Sequence, residues 1–299
     1  MELGPCTVNE GGKSARENPN SWIEAANVFF LDQPIGVGFS YSTNESDIHG
    51  GTFAASEDIY AFMRLWYTAF PEAKTLPFSI AGESYGGHYI PVFAEHIQAM
   101  NAIAGPDEQI PLESVLIGNG IFADTVQTTS AYDIPCTNVT GIGPLFNSSV
   151  CEKMAAAVPR CEYLLKACGD YPDPIICQAS LEYCIEKLDR PYFESGLNYY
   201  DVSKPCEGYL CYPIMDSITT FLRTETVRTV FGVPPEAPRF VGCSNKVGKE
   251  FSKVLPLCYC GKSTRANHLQ GQRLHHRHEA VCCEFATLRH SGPHLCGHL

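Results

Sequence analysis

A serine stands at the centre of the motif Gly82-Glu83-Ser84-Tyr85-Gly86. The apolar run 76–81 precedes the motif and segment 87–93 follows it, the order expected where a strand turns sharply into a helix. Small residues two positions before and after the serine permit the strained turn of a nucleophile elbow, which lifts the hydroxyl into solvent. Backbone N–H groups at the start of the following helix can stabilise a developing oxyanion. The motif therefore predicts acyl transfer, with Ser84 as the nucleophile.

Strand and helix patterns alternate around this motif, between about residues 21 and 120. In chain order they are the β-rich segment 27–31, a helix with Ile59, Phe62, Trp66 and Phe70 at helical spacing, a strand ending at Ala81, the elbow helix, and a strand over 114–118. Alternation with mostly apolar strands is typical of a parallel sheet with right-handed crossovers. Residues 1–121 are therefore predicted to form part of an α/β core.

The alternation stops between residues 122 and 252. Short helical stretches such as 150–157 and 218–231 are separated there by turns rich in Cys, Pro and Gly. Seven cysteines crowd residues 151–211 of this segment, which is typical of a region held by disulfides: Cys151, Cys161, Cys168, Cys177, Cys184, Cys206 and Cys211. We expect a helical insertion that covers the catalytic face of the sheet.

Residues 253–299 differ in kind from the rest. From residue 255 onward the chain holds seven of its ten histidines and five of its fifteen cysteines, without helical or strand periodicity. One interpretation is a zinc site built from Cys258, Cys260, His275, His278, Cys282 and Cys283. Their spacings fit none of the common structural zinc patterns, so the favoured interpretation is a non-native or disordered tail without a metal site.

Composition excludes several classes of partner. A net charge of -12 disfavours nucleic acid and anionic membrane surfaces, because phosphate binding requires clustered Lys and Arg. The sequence contains no run of eighteen apolar residues, so no membrane span is predicted. Residues 1–6 have neither the basic nor the apolar stretch of a signal peptide. Fifteen cysteines and three glycosylation sequons, at Asn44, Asn138 and Asn147, nevertheless favour a protein of the secretory pathway.

Segment 81–91, Ala-Gly-Glu-Ser-Tyr-Gly-Gly-His-Tyr-Ile-Pro, closely resembles the nucleophile segment of the serine carboxypeptidases, in particular those of the carboxypeptidase Y type. Further segments that resemble this family are 2–5, 18–22, 31–41, 117–120 and 206–213. The resemblance extends in order over roughly residues 2 to 253. It implies an α/β-hydrolase fold, here with an incomplete parallel sheet, and a helical cap.

The implied activity is release of C-terminal residues from peptides through an acyl-enzyme, without a cofactor. Ser84 would be the nucleophile and the backbone N–H of Tyr85 one arm of the oxyanion hole. Glu83 and Glu2 match the family's two carboxyl groups that hold the substrate's terminal carboxylate. A carboxylate can bond another carboxylate only when one is protonated, so substrate binding should weaken as pH rises. A vacuolar, lysosomal or secreted location is implied as well.

The resemblance also implies a disulfide pattern that the residues alone leave open, since eight cysteines allow ~105 pairings. The implied bonds are Cys136–Cys151, Cys161–Cys184, Cys168–Cys177 and Cys206–Cys211. Cys243 matches a family cysteine whose partner lies in an upstream segment that this sequence does not contain.

The sequence departs from the family at both ends. The Gly-rich upstream segment that supplies a second oxyanion N–H is missing, and no triad Asp or His is found after residue 252. His88 and His96 lie on the elbow helix, and His88 is predicted to pack within the helix rather than act as the base. We therefore expect a chain truncated at both ends with little or no activity. A carboxypeptidase-like acyltransferase and a non-catalytic peptide-binding fragment remain as alternatives.

Overall fold

The computed structural model describes residues 3–48, 50–122 and 124–251. Strands in the described residues are β1 (Cys6–Val8), β2 (Ala15–Glu17), β3 (Phe78–Glu83), β4 (Leu112–Gly118), β5 (Leu197–Asn198) and β6 (Asp201–Pro205). Helices in the same residues are α1 (Thr52–Ala69), α2 (Gly86–Asn101), α3 (Asp124–Ser130), α4 (Asp133–Cys136), α5 (Ser148–Asp170), α6 (Pro174–Cys184), α7 (Arg190–Ser195), α8 (Ile214–Leu222), α9 (Glu225–Val230) and α10 (Asn245–Phe251).

The described residues fall into two compact units. We call residues 51–189 the central unit and residues 3–50 with 190–251 the flanking unit. The candidate nucleophile lies in the central unit.

A parallel pair of strands forms the centre of the central unit. Strands β3 and β4 pair from Ser79 opposite Ser114 to Glu83 opposite Gly118, and α2 is the crossover between them. Alternate residues of β3 are exposed and half-buried, and α2 packs on both strands. This β-α-β unit confirms the predicted strands and elbow helix, and it places Ser84 at the carboxyl end of β3.

Helix α1 packs against α2, and Ala55, Ile59, Met63 and Tyr67 of α1 are almost fully buried. The predicted helix is correct, but three of the four residues that suggested it lie beside the buried face. Phe62 stacks on Trp66, and Trp66 contacts Phe70 just after the helix, with ring centroids 6.3 and 4.5 Å apart. Aromatic residues at positions i and i+4 contact each other on any helix, so the spacing located the helix but not its buried side.

Helices α5 and α6 form an antiparallel pair in the rest of the central unit. Asn147 caps α5 by accepting a hydrogen bond from the backbone N–H of Val150, and Asp173 caps α6 in the same way. Helix α5 is much longer than the predicted stretch 150–157, since it continues through Pro159 to Asp170. After α6 the chain makes a π-helical turn over Ile185–Asp189.

The flanking unit contains two antiparallel strand pairs, β1 with β2 and β5 with β6. Helix α8 packs on the turn Glu10–Gly12, where a Cβ on Gly12 would lie 2.3 Å from the carbonyl oxygen of Ser217. Arg228 of α9 is buried, and its guanidinium donates to the carbonyl oxygens of Pro234, Ala237 and Pro238. One buried cation thus holds the turn that follows α9.

Two element predictions in this unit are wrong. Residues 27–31 form no strand, and the side chain of Phe30 in that segment is 62% exposed. A β-rich segment becomes a strand only when its backbone groups bond a neighbouring strand. The predicted helix 218–231 is two helices, because Thr224 ends the run and caps α9 by accepting from the backbone N–H of Val227.

Candidate active site

Ser84 occupies the turn between β3 and α2 in a left-handed backbone conformation, with φ of 57°. A side chain larger than glycine rarely adopts this conformation, and holding it costs on the order of 1–3 kcal/mol. The residue is exposed. This is the strained, outward-facing turn that the sequence predicts for a nucleophile elbow.

Close backbone approaches explain the glycines around Ser84. A Cβ on Gly82 would lie 2.7 Å from a side-chain carbon of Ile90, inside van der Waals contact. A Cβ on Gly87 would lie 2.4 Å from the backbone oxygen of Ile121. The contact with the Ile90 side chain could be relieved by a change of rotamer. The contact with the Ile121 main chain could be relieved only by a shift of the backbone. Gly87 therefore fixes how closely the start of α2 approaches the loop after β4.

That loop, residues 118–121, holds the elbow by two backbone hydrogen bonds. The N–H of Ser84 donates to the carbonyl oxygen of Gly118 at 3.1 Å, and the N–H of Ile121 donates to the carbonyl oxygen of Ser84 at 2.9 Å. Asn119 within the loop also has a positive φ, of 41°. Both the N–H and the carbonyl oxygen of Ser84 are thus bonded to the loop at the end of β4.

Gln127 of α3 in turn fixes this loop. Its amide group donates to the carbonyl oxygen of Gly120 at 2.8 Å and accepts from the N–H of Phe122 at 2.9 Å. Sequence reasoning noted 117–120 only as a family-like segment and missed Gln127. The position of Gln127 shortly after β4 could have indicated its role, because the carboxyl ends of adjacent parallel strands meet at one edge of the sheet.

Tyr85 directly follows Ser84 and is the N-cap of α2. Its ring contacts those of His88 and Tyr89, at centroid distances of 4.7 and 4.8 Å. Its carbonyl oxygen accepts from the N–H groups of both residues. The backbone that would carry the oxyanion N–H is therefore held at the N-terminal end of a helix, where the helix dipole favours negative charge.

His88 is 5% exposed and packs on Tyr85, which confirms the prediction of a packed helix histidine. His96, two turns further along α2, packs against the ring of Tyr60 at 5.6 Å. The hydroxyl of Ser84 makes no hydrogen bond to any residue of the described part of the chain. Neither histidine is therefore placed as its general base.

Glu83, the last residue of β3, is exposed and pairs with Gly118 in the sheet. It adjoins Ser84 at the same edge, on the outward side of the strand. Glu2 lies outside the described residues, so the predicted pair of carboxyl groups is not placed as a pair. The zinc interpretation also falls outside them, since all its cysteines and histidines follow residue 251.

Residues 1–256 match the family model described as serine carboxypeptidase. The chain belongs to the serine carboxypeptidase family. Carboxypeptidase Y homolog A of Arthroderma gypseum is 37% identical over 254 residues, and that of Paracoccidioides lutzii is 39% identical over 253. Each alignment covers 84% of this chain and 44% of the relative.

The fold is also similar to that of Kex1(delta)p, a prohormone-processing carboxypeptidase from Saccharomyces cerevisiae. The TM-score is 0.69 at 23% sequence identity, over 86% of this chain and 56% of that one. The chain thus has the α/β-hydrolase fold of the family. It spans about half the length of the relatives it matches.

The four disulfides of the described residues join the same cysteines that the family resemblance implied. Two of them join α5 to α6, Cys161–Cys184 and Cys168–Cys177, while Cys136–Cys151 joins α4 to α5. The fourth, Cys206–Cys211, closes a short loop in the flanking unit. Cys6 and Cys243 are exposed and form no disulfide with a described residue.

Among the described residues, no three His, Cys, Asp or Glu side chains converge in a way that could hold a metal ion. No helix in the described ranges is long and apolar enough to cross a bilayer.

Proposed function

We propose that this chain carries the nucleophile of a serine carboxypeptidase, which releases C-terminal residues from peptides and proteins through an acyl-enzyme at Ser84. The observation that carries the proposal is the positive φ of Ser84 between β3 and α2, held by the loop 118–121. A nucleophile elbow serves acyl transfer, and the family matched by residues 1–256 uses that chemistry on peptides.

In the proposed reaction, the oxygen of Ser84 attacks the carbonyl carbon of the last peptide bond. The N–H of Tyr85 stabilises the oxyanion, and the C-terminal amino acid leaves with a proton on its new amine. Water then releases the shortened peptide. In this reaction the described residues contribute the nucleophile and one oxyanion donor, and none of them acts as the general base.

Glu83 is proposed to bind the substrate's terminal carboxylate, together with Glu2. Its position beside Ser84 at the sheet edge supports this role. A carboxyl group can donate to a carboxylate only in its protonated form, so binding and turnover should be favoured at acidic pH.

The two-stranded sheet is proposed to be part of a larger parallel sheet with α3 to α6 as a cap. Leu116 of β4 is 45% exposed. Strands of a parallel sheet are normally covered on both faces, so this exposure is expected if a further layer of the fold covers Leu116 in the larger sheet. Four disulfides support passage through the secretory pathway, because such bonds persist in oxidising compartments. A vacuolar or secreted location is proposed on the same ground.

The test is an assay of the chain with an N-blocked dipeptide, beside the same dipeptide with a C-terminal amide. We expect slow release of the free C-terminal residue, because loss of triad members costs on the order of 10⁴–10⁶-fold in rate. Ser84→Ala should abolish the covalent labelling by a fluorophosphonate. Glu83→Gln should reduce the preference for the free carboxylate over the amide.

Equal fluorophosphonate labelling of the unchanged chain and Ser84→Ala would contradict the role of Ser84. Equal cleavage of acid and amide would contradict the carboxypeptidase assignment. With an added alcohol, transfer of the acyl group in preference to hydrolysis would favour the acyltransferase alternative. Retained binding of a C-terminal peptide without turnover would favour the peptide-binding alternative.

A further inference from the structure

An exposed loop of the central unit, residues 137–147, carries two of the three sequons. It lies between α4 and α5, whose ends are joined by the Cys136–Cys151 disulfide. Near its tip two large apolar side chains face solvent: Val139 is 69% exposed and Ile142 is 63% exposed. Asn138 and Asn147 flank this apolar pair.

Asn138 uses its oxygen atoms to shape the loop. Its backbone oxygen accepts from the N–H of Gly141 at 3.1 Å, and its side-chain oxygen accepts from the N–H of Gly143 at 2.8 Å. Both glycines have positive φ, 78° and 79°, so the loop turns back on itself around Asn138. The residue is exposed, and none of these bonds uses the side-chain nitrogen Nδ2.

Asn147 is placed in the same way at the end of the loop. Its side-chain oxygen caps α5 by accepting from the N–H of Val150 at 3.0 Å, and the residue is exposed. The cap again leaves Nδ2 outside the hydrogen bond. A group attached to that nitrogen would therefore leave both the loop and the helix cap intact.

We propose that Asn138 and Asn147 both carry N-linked glycans, and that these glycans cover the apolar pair Val139 and Ile142. The donor is an oligosaccharide linked to a polyprenyl diphosphate. A bond forms between Nδ2 and the anomeric carbon of the first sugar, while the bond from that carbon to the diphosphate oxygen breaks. Nδ2 loses one proton, and the lipid diphosphate leaves with the electron pair of the broken bond.

Two observations carry the assignment beyond the sequons themselves. Both side-chain oxygens have structural bonds and both residues are exposed, so the folded loop accommodates modified and unmodified asparagine equally. The exposed apolar pair gives the glycans a function, because a hydrated oligosaccharide is bulky, solubilising and confined to the surface. The proposal rests on the proposed secretory route and not on the activity of Ser84.

The experiment directs the full 299-residue chain into the secretory pathway of a yeast host with a cleavable leader. The denatured chain is digested with protease and then with an amidase that removes N-glycans and converts each modified Asn to Asp. We expect this conversion at both Asn138 and Asn147. An unconverted Asn at either position, or conversion at Asn44 alone, would overturn the proposal.

Matched variants separate the glycan from the local structure. Asn138→Asp and Asn147→Asp keep the acceptor oxygen but lose the glycan, and each should remove one mobility step on a gel. Thr140→Ala and Ser149→Ala should do the same while keeping the asparagine. The same pattern is expected in a Ser84→Ala background, so that a failed activity assay leaves this result unchanged.

Coverage of the apolar pair is tested by recovery of soluble chain. The double variant Asn138→Asp/Asn147→Asp should lower the recovered amount several-fold, and adding Val139→Ser/Ile142→Ser should restore it. A double variant recovered as well as the unchanged chain would overturn the covering role. So would a loss that the serine substitutions leave uncorrected.

Discussion

At the scale of single residues, the candidate site depends on a backbone conformation that its own side chain disfavours. Ser84 has φ of 57°, and two hydrogen bonds from the loop 118–121 hold it there. This conformation costs roughly 1–3 kcal/mol, and it persists because the surrounding main chain fixes both sides of the residue. Gly87 allows this main chain to come close enough.

Gly87→Ala tests that close approach. The new Cβ would lie 2.4 Å from the oxygen of Ile121, and relief requires a backbone shift that costs about 1–3 kcal/mol or more. We expect a lower free energy of unfolding in urea. Gly105→Ala is the matched control, because a Cβ there meets nothing within 4 Å and φ is -64°. Equal effects of the two substitutions would refute the steric explanation.

A second residue-scale prediction concerns Asp189, at the end of the π-helical turn. Burial raises the pKa of its carboxyl from 3.8 to about 6. The folded state then holds the proton more tightly than the unfolded state, so stability falls as pH rises from about 4 to 6 and stays lower above that. The penalty is on the order of 1–3 kcal/mol at pH 8.

Asp189→Asn should therefore raise the unfolding free energy at pH 8 and change it little at pH 3.5. Asp201→Asn is the control with the opposite sign. Lys204 and Ser203 lower the pKa of Asp201 to about 2, so its ionised form is favoured in the folded state. Urea unfolding at both pH values measures the difference, and an equal effect of Asp189→Asn at the two pH values would argue against burial as the cause.

At the scale of elements, polar side chains hold the irregular segments that the strands and helices do not. Gln127 bonds the loop after β4, and Arg228 bonds three carbonyl oxygens in the turn after α9. A planar guanidinium presents several donors in a fixed fork, which a lysine ammonium does not reproduce.

Arg228→Lys should therefore destabilise the protein although it keeps the charge. Of the three acceptor residues Ala237 is buried, and a buried carbonyl oxygen left without a donor costs about 1–3 kcal/mol, with partial compensation by the ammonium. Arg223→Lys is the control, because Arg223 is exposed and bonds a single carbonyl oxygen, that of Phe240. Thermal unfolding should show a larger loss for Arg228→Lys, and a ranking in the other order would contradict the assigned role.

At the scale of the whole molecule, covalent bonds supplement the buried core unequally. In the described residues, the central unit contains three disulfides and the flanking unit one. A disulfide stabilises mainly by restricting the unfolded chain, and more so for longer loops. The largest effect is therefore expected from Cys161–Cys184, whose sequence separation is 23.

Replacing both Cys161 and Cys184 by alanine should cost about 3 kcal/mol, against about 2 kcal/mol for Cys206 and Cys211, whose separation is 5. Urea unfolding of the two double variants under non-reducing conditions provides the comparison. The buried position of the first pair adds a packing loss in the same direction. A greater loss for the 206–211 variant would show that loop length does not dominate.

The sequence by itself determined the features that depend on neighbouring residues. The turn at Ser84 was predictable because its glycines and the flanking strand and helix lie within a dozen residues, and the paired cysteines followed from family resemblance. Helix α1 was predictable in position but not in its buried face.

Only the tertiary structure decided what depends on segments distant in the chain. It showed that residues 118–121 hold Ser84, that Gln127 holds those residues, and that segment 27–31 forms no strand. Hydrogen-bond partners and close approaches of this kind are set by packing across the fold, because a backbone group bonds whatever donor or acceptor folding brings beside it. Local pattern therefore predicted the candidate nucleophile, and long-range contacts decided the structure that holds it.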